Sequence, residues 1–117
     1  MTQQDMVGKR LKIYYNLHKH CLSLQYKGKI IGYANNISLE NVELKVSQSG
    51  RERVLREKRK NVHAYVIGTV VEEAWNNLKA MVTYNPYKHS TFVNRETLEP
   101  VYNTEHCTIK DKNIYCD

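Results

Sequence analysis

NVHAYVIGTVV, residues 61–71, is the stretch of sequence that decides the fold. It is rich in β-branched residues and apolar at both odd and even positions, which is typical of a strand in the middle of a sheet. The backbone groups of such a strand need hydrogen-bonded neighbours on both sides. The rest of the chain must therefore supply further strands around it.

The first half of the chain predicts an antiparallel meander. Apolar and polar residues alternate over residues 10–18 and again over residues 21–26. A tight turn at residues 27–29 leads into a third strand, and a fourth alternating stretch ends at Val46. Short strands joined by such tight connections pair as neighbours in an antiparallel sheet.

The predicted fold class is β-rich α+β, in a single domain of residues 1–117. Short strands between residues 78 and 115 bring the total to six to eight, in a small, partly rolled and barrel-like antiparallel sheet. Residues 51–59 are good helix formers, and Ser47 or Ser49 can cap a helix. One short basic helix is therefore expected directly before the central strand.

The sequence GRERVLREKRK, residues 50–60, is here called the basic segment. It carries six cations and two carboxylates, a net charge of +4 out of +6 for the whole chain, so the remainder carries only +2. Cations gathered in this way suit a polyanion such as nucleic acid, or an acidic protein face. Alternatively, these cations form the solvated face of a helix and pair with the carboxylates of the same helix. The predicted binding residues are Arg51, Arg53, Arg56, Lys58, Arg59 and Lys60.

The sequence YNPYKH, residues 84–89, is here called the tyrosine loop. Its aromatic rings could stack on bases, and its polar side chains could donate to phosphates. A structural turn whose rings cover the end of the sheet is the alternative. The predicted binding residues are Tyr84, Asn85, Tyr87, Lys88 and His89.

Catalysis is a further alternative, as metal-independent cleavage of RNA. His63 or His89 could transfer protons while Arg56, Arg59 or Lys88 stabilised the developing charge. However, a histidine at the start of an apolar strand is more often part of a core, and no closely spaced carboxylates indicate a two-metal centre. The sequence therefore predicts no catalytic residue.

Neither a metal nor another cofactor is predicted. The histidines and cysteines at residues 18–21, 106–107 and 116 match no common zinc spacing, and adjacent strand residues point to opposite faces. An odd number of cysteines after a polar N-terminus predicts free thiols in a reducing cytoplasm. No apolar run reaches the ~20 residues that cross a bilayer, so no membrane partner is expected.

Three motifs carry a resemblance to a known family. They are KIYYNLHKHCLSLQ at residues 12–25, RVLREKRKNVHAYVIG at residues 53–68 and VTYNPYKHSTFV at residues 82–93. Together they resemble an uncharacterised family of small proteins from tailed phages and prophages, which has no established activity. The resemblance implies a viral accessory protein that acts in the host cytoplasm.

Besides the metal-independent cleavage of RNA considered above, which is the second alternative, two functions follow from the sequence. The first is non-enzymatic binding of nucleic acid through the basic segment and the tyrosine loop. The second is inhibition of a host defence protein or another nucleic-acid-handling protein, through the same basic face.

Overall fold

The computed structural model of the chain describes residues 3–46, 64–72, 75, 78–85 and 91–117. These residues form a short 3-10 helix, Gln3–Met6, and ten strands. The strands are β1 (Arg10–Asn16), β2 (Cys21–Tyr26), β3 (Lys29–Ala34), β4 (Asn36–Val46), β5 (Ala64–Val70), β6 (Ala80–Asn85), β7 (Thr91–Asn94), β8 (Pro100–Val101), β9 (Asn103–Lys110) and β10 (Asn113–Cys116).

All ten strands belong to one open antiparallel sheet with the order β3-β2-β1-β5-β4-β9-β10-β6-β7-β8. The predicted α+β class is therefore wrong, because the described part of the chain is all-β and holds no α-helix. The predicted barrel-like closure is also wrong, since β3 and β8 remain the two edges of the sheet. The predicted helix itself, at residues 51–59, lies outside the described residues. Helix propensity is a weak local preference and cannot by itself define a fold class.

The strand count was too low because the last part of the chain has a weak pattern. β9 begins with polar residues, yet it pairs with both β4 and β10 and is not an edge strand. Its position in the sheet is set by these two neighbours rather than by its own alternation. The predicted meander β1-β2-β3 and the central position of β5, between β1 and β4, are confirmed.

β4 bends where two of its residues oppose one position of β5. The register shifts between Glu40 and Glu43, and Asn41 there has a positive φ of 52°. Leu39 and Val42 consequently both face the core, against Gly68 of β5. A β-bulge of this kind increases the local twist and lets one long strand turn a corner.

The core lies on the inner face of this bent sheet. Its buried side chains come from eight strands, with Met6 of the 3-10 helix added at one end. Among the described residues no long helix covers the inner face, so the sheet must cover it by folding over on itself. None of the helical structure in these residues is long and apolar enough to cross a membrane.

Candidate nucleic-acid interface

Three tyrosines lie in one row across four strands, on the face of the sheet opposite the core. Tyr33 of β3 pairs with Ser23 of β2, and Ser23 pairs with Tyr14 of β1. Ile13 pairs with Val66 in the antiparallel register of β1 and β5. Tyr14 follows Ile13 and Tyr65 precedes Val66, so the two tyrosines are at neighbouring positions of the two strands. We call Tyr33, Tyr14 and Tyr65 the tyrosine row.

The tyrosine row lies on the outer face because its neighbours along each strand point inward. Ile13 and Val66 are core residues, and so is Leu24 next to Ser23. Since successive side chains of a strand alternate between faces, the row must point away from the core. Tyr33 is 48% exposed, whereas Tyr14 and Tyr65 are half-buried.

Lysine ammonium groups lie over two rings of the row. The Nζ atom of Lys12 is 4.3 Å from the centroid of the Tyr65 ring, and that of Lys19 is 4.3 Å from the centroid of Tyr33. Both lysines are exposed, so each cation–π contact is worth about 0.5–1 kcal/mol. The row therefore combines flat aromatic surface with positive charge.

Further cations lie near the row, and two of them contact the same carboxylate, that of Glu43. Arg10 contacts Glu43 at 2.9 Å and donates a second hydrogen bond, of 2.8 Å, to the Asn41 carbonyl. Lys45 lies 3.8 Å from the same Glu43. Because Glu43 balances only one charge, Arg10, Lys12 and Lys45 leave this face positive, although Glu40 also lies on β4.

The basic segment is attached beside the tyrosine row. β4 and β5 pair up to Lys45–Tyr65 and Val46–Ala64, and residues 47–63 connect these two strand ends. The six predicted binding residues of the segment, Arg51, Arg53, Arg56, Lys58, Arg59 and Lys60, lie outside the described residues, as does His63. The last described residue before the segment, Val46, and the first after it, Ala64, are paired next to Tyr65 of the row.

The structure describes only the first two residues of the tyrosine loop, both of them in β6. Tyr84 belongs to β6, is 7% exposed and packs against Phe92, with ring centroids 5.8 Å apart. Asn85 ends β6 and pairs with Thr91. For Tyr84 this position favours the structural interpretation over contact with bases. Tyr87, Lys88 and His89 lie outside the described residues.

One cavity lies between the strands that flank the basic segment and the tyrosine loop. It has a volume of about 260 Å³, and most of its lining is apolar. Ala64, where β5 begins after the basic segment, lines it together with Tyr84, the first residue of the tyrosine loop, and Phe92, which follows the loop on β7. The fold therefore brings the strands that carry the two predicted segments to one place.

A second polar cluster lies on β9 and β10. The Nδ1 atom of His106 is 2.7 Å from Asp117, to which the Thr104 hydroxyl donates a hydrogen bond of 2.7 Å. An ionised carboxylate only accepts, so His106 carries its proton on Nδ1. The ring of Trp75 packs on His106 at 4.4 Å. Ligand atoms of Glu105, His106 and Asp117 lie within 4.8 Å of one another, close enough to hold a metal ion.

The electrostatics of this cluster keep its acid charged. Partial burial would raise the pKa of Asp117, but hydrogen bonds from Thr104 and from the ring and backbone of His106 outweigh it and lower the pKa. The pKa values of the two neighbouring thiols are shifted in the opposite direction. Burial raises the pKa of Cys107 and of Cys116 above the usual range, so both stay protonated at neutral pH.

The zinc ligands considered from the sequence are not gathered into a site. Cys107 and Cys116 pair across two strands and face the core, whereas His18 and His20 are exposed in the turn between β1 and β2. Cys107 and Cys116 would also have to lose protons that burial holds in place before they could bind zinc.

The tyrosine row was not predicted from the sequence. The alternation of β1 places Tyr14 on the polar face, but the partners of Tyr14 depend on strand register. Register is set by turns, bulges and core packing and is not visible in a single strand. The signal that existed was the position of Tyr14 on the polar face of β1, whereas the stretch around Tyr65 is apolar at both odd and even positions.

The chain is similar to known proteins over almost its whole length. A family model described as the Mycobacterium phage L5 gene 82 protein matches residues 4–117. The Gene 82 protein of Mycobacterium phage L5 is 27% identical over 117 residues, which covers 90% of this chain and 93% of the phage protein. No solved structure matches the chain. The resemblance to a phage family is confirmed.

Proposed function

The chain belongs to the family of the Mycobacterium phage L5 gene 82 protein, and we propose that it is a non-enzymatic accessory protein that binds nucleic acid. It contacts phosphates through the basic segment, helped by cations of the outer face. A phage accessory protein of this kind works in the host cytoplasm, where nucleic acid is the most abundant polyanion.

One observation supports the proposal: the two strands that flank the basic segment in the chain lie among the cations of the outer face. The chain leaves β4 at Val46 and re-enters the sheet at Ala64, beside the paired Lys45 and Tyr65, and the basic segment lies between these two positions in the sequence. Lys12 lies over the ring of Tyr65, and Arg10 lies on the adjoining part of β1. Cations held on a rigid sheet lose less side-chain and backbone entropy on binding than cations on a free chain.

Phosphate contacts make affinity depend steeply on salt. Neutralising about six phosphates of a duplex releases condensed counterions and lowers affinity roughly 10³-fold between 50 and 200 mM salt. We expect this dependence for generic DNA and RNA, measured by fluorescence anisotropy across a salt series. Affinity that does not change over this range would contradict the proposal.

Replacing Arg53, Arg56 and Arg59 together by Ala tests the basic segment directly. Each lost phosphate contact reduces the slope of log affinity against log salt by about one, so the slope should fall by about three. A variant in which Lys79, Arg95 and Lys110 become Ala removes equal charge elsewhere and serves as the control. Equal slopes in both variants would show that total charge, and not the basic segment, governs binding.

A second function is supported by the same face. Arginine and tyrosine are favoured anchors of protein interfaces, so this surface also suits inhibition of a host nucleic-acid-handling or defence protein. A pull-down from nuclease-treated host lysate separates the two functions. A stoichiometric host protein that survives the treatment favours inhibition, whereas loss of all bound material favours nucleic acid.

A further inference from the structure

We propose that the tyrosine row is a stacking platform that selects single-stranded nucleic acid over duplex. This inference rests on the proposed function, to which it adds the class of ligand. Its basis is the alignment of Tyr33, Tyr14 and Tyr65 on one outer face, with lysines over two of the rings.

The dimensions of the row suit a short run of unpaired bases. Neighbouring strands lie about 4.8 Å apart, so the three steps from β3 to β5 span roughly 14 Å. Sheet-borne aromatic side chains elsewhere stack two or three bases in this way. Duplex bases are already stacked on one another and cannot offer their faces to the row.

The lysines do not obstruct stacking. Lys12 and Lys19 are exposed and have long flexible side chains, and an exposed cation–π contact is weaker than a base stacked on an aromatic ring. An incoming base therefore displaces the ammonium group from the ring. The displaced ammonium stays within reach of the phosphate attached to that base, so its charge continues to contribute to binding.

Charge supports nucleic acid as the occupant of this face. Arg10 and Lys45 share the single carboxylate of Glu43, while Lys12 and Lys19 contact only tyrosine rings among the described interactions that involve them. The rings thus lie in a positive field that attracts a phosphate backbone and places its bases over aromatic surface. An acidic peptide would be attracted by the same charge, but only a nucleic acid carries a planar base on every charged unit of its backbone.

The test compares binding to a 12-nucleotide thymidine strand, a uridine strand of equal length and a duplex of that length, at one low salt concentration. We expect the wild type to bind both single strands more tightly than the duplex. Tyr33→Leu should weaken single-strand binding roughly tenfold and leave duplex binding unchanged, because only the unpaired bases use the ring.

Two further variants separate stacking from folding. Tyr33→Phe keeps the ring and should bind as the wild type does. Tyr102→Leu removes a tyrosine that is 60% exposed but lies outside the row, and it should also bind as the wild type does. The unfolding midpoint of each variant shows whether the fold is intact.

The following outcomes would refute the inference. Equal binding of single strands and duplex, or a Tyr33→Leu effect that is absent or the same on both, refutes the platform while leaving phosphate binding in place. Failure of the wild type to bind any of the three nucleic acids refutes the proposed function and the platform together.

Discussion

The three cysteines differ in how the fold surrounds their thiols. Cys21 begins β2 and is partly exposed, whereas Cys107 and Cys116 are almost fully buried and face each other across β9 and β10. Burial also raises the pKa of Cys107 and Cys116, so little thiolate is present. Because the thiolate is the reactive form, burial and the scarcity of thiolate both protect these two residues.

In the native protein we therefore expect a thiol reagent to modify Cys21 alone, with Cys107 and Cys116 reacting only in denaturant. Peptide mapping by mass spectrometry after brief labelling identifies the modified residues. Cys21→Ser should abolish rapid labelling and provides the control. Prompt reaction of all three thiols in the native wild type would contradict the described core.

Asp117 gives a pH dependence with a defined sign. Its pKa is lowered in the folded protein, so its ionised form stabilises the fold at pH values above the ordinary aspartate pKa of about 3.9. The stabilisation is lost as the pH falls through the lower, folded-state pKa. The side chain is 43% exposed, so solvent screening limits the effect to below about 1 kcal/mol.

We expect Asp117→Asn to be less stable than the wild type at pH 6 and equal to it in strong acid. Asparagine can still accept the hydrogen bond from Thr104, so the variant mainly removes the charge. Urea unfolding midpoints at pH 6 and below pH 3 provide the measurement. A difference that is the same at both pH values would show that the charge of Asp117 has no role.

The packing of β4 on β5 depends on a glycine. A Cβ atom added at Gly68 would lie 3.0 Å from the Leu39 Cβ atom and 3.0 Å from a Val42 methyl. Both neighbours are core residues brought to this position by the bulge of β4. Relief would require movement of the strand itself, because the Leu39 Cβ atom cannot rotate away.

Gly68→Ala should therefore destabilise the protein by about 1–3 kcal/mol, the usual cost of overpacking a filled core. Gly28→Asn is the matched control. Gly28 has a φ of +83° and nothing within 4 Å of an added Cβ, and asparagine tolerates positive φ better than most residues. Denaturant midpoints of the two variants provide the comparison, and a Gly68→Ala protein as stable as the control would contradict the described bulge.

At the level of elements, the sequence predicted individual strands better than the arrangement of those strands in the sheet. Alternation correctly identified β1, which has one buried face, and β2, in which leucines alternate with polar residues. The density of apolar residues correctly identified β5. The position of β9 in the sheet and the bend of β4 were missed. Both arise from pairing between residues far apart in the chain, and local periodicity carries no information about such pairing.

Across the whole molecule, the same limit applies to the candidate site. The charge of the basic segment and the polar side of each strand are visible in the sequence, but the tyrosine row exists only after β3, β2, β1 and β5 are placed in register. Tyr84 shows the converse, since a residue that resembles a binding group in a polar motif is buried in the core. Register and burial are global properties and need the assembled sheet.

Photo-crosslinking of a single-stranded oligonucleotide with a photoreactive base tests the central claim most directly, because it identifies the residues that touch the bases. We expect crosslinked peptides to contain Tyr14, Tyr33 or Tyr65, with crosslinks lost at high salt as phosphate contacts weaken. Crosslinks confined to Trp75 and His106, which lie outside the row, or no crosslinks at low salt, would contradict it.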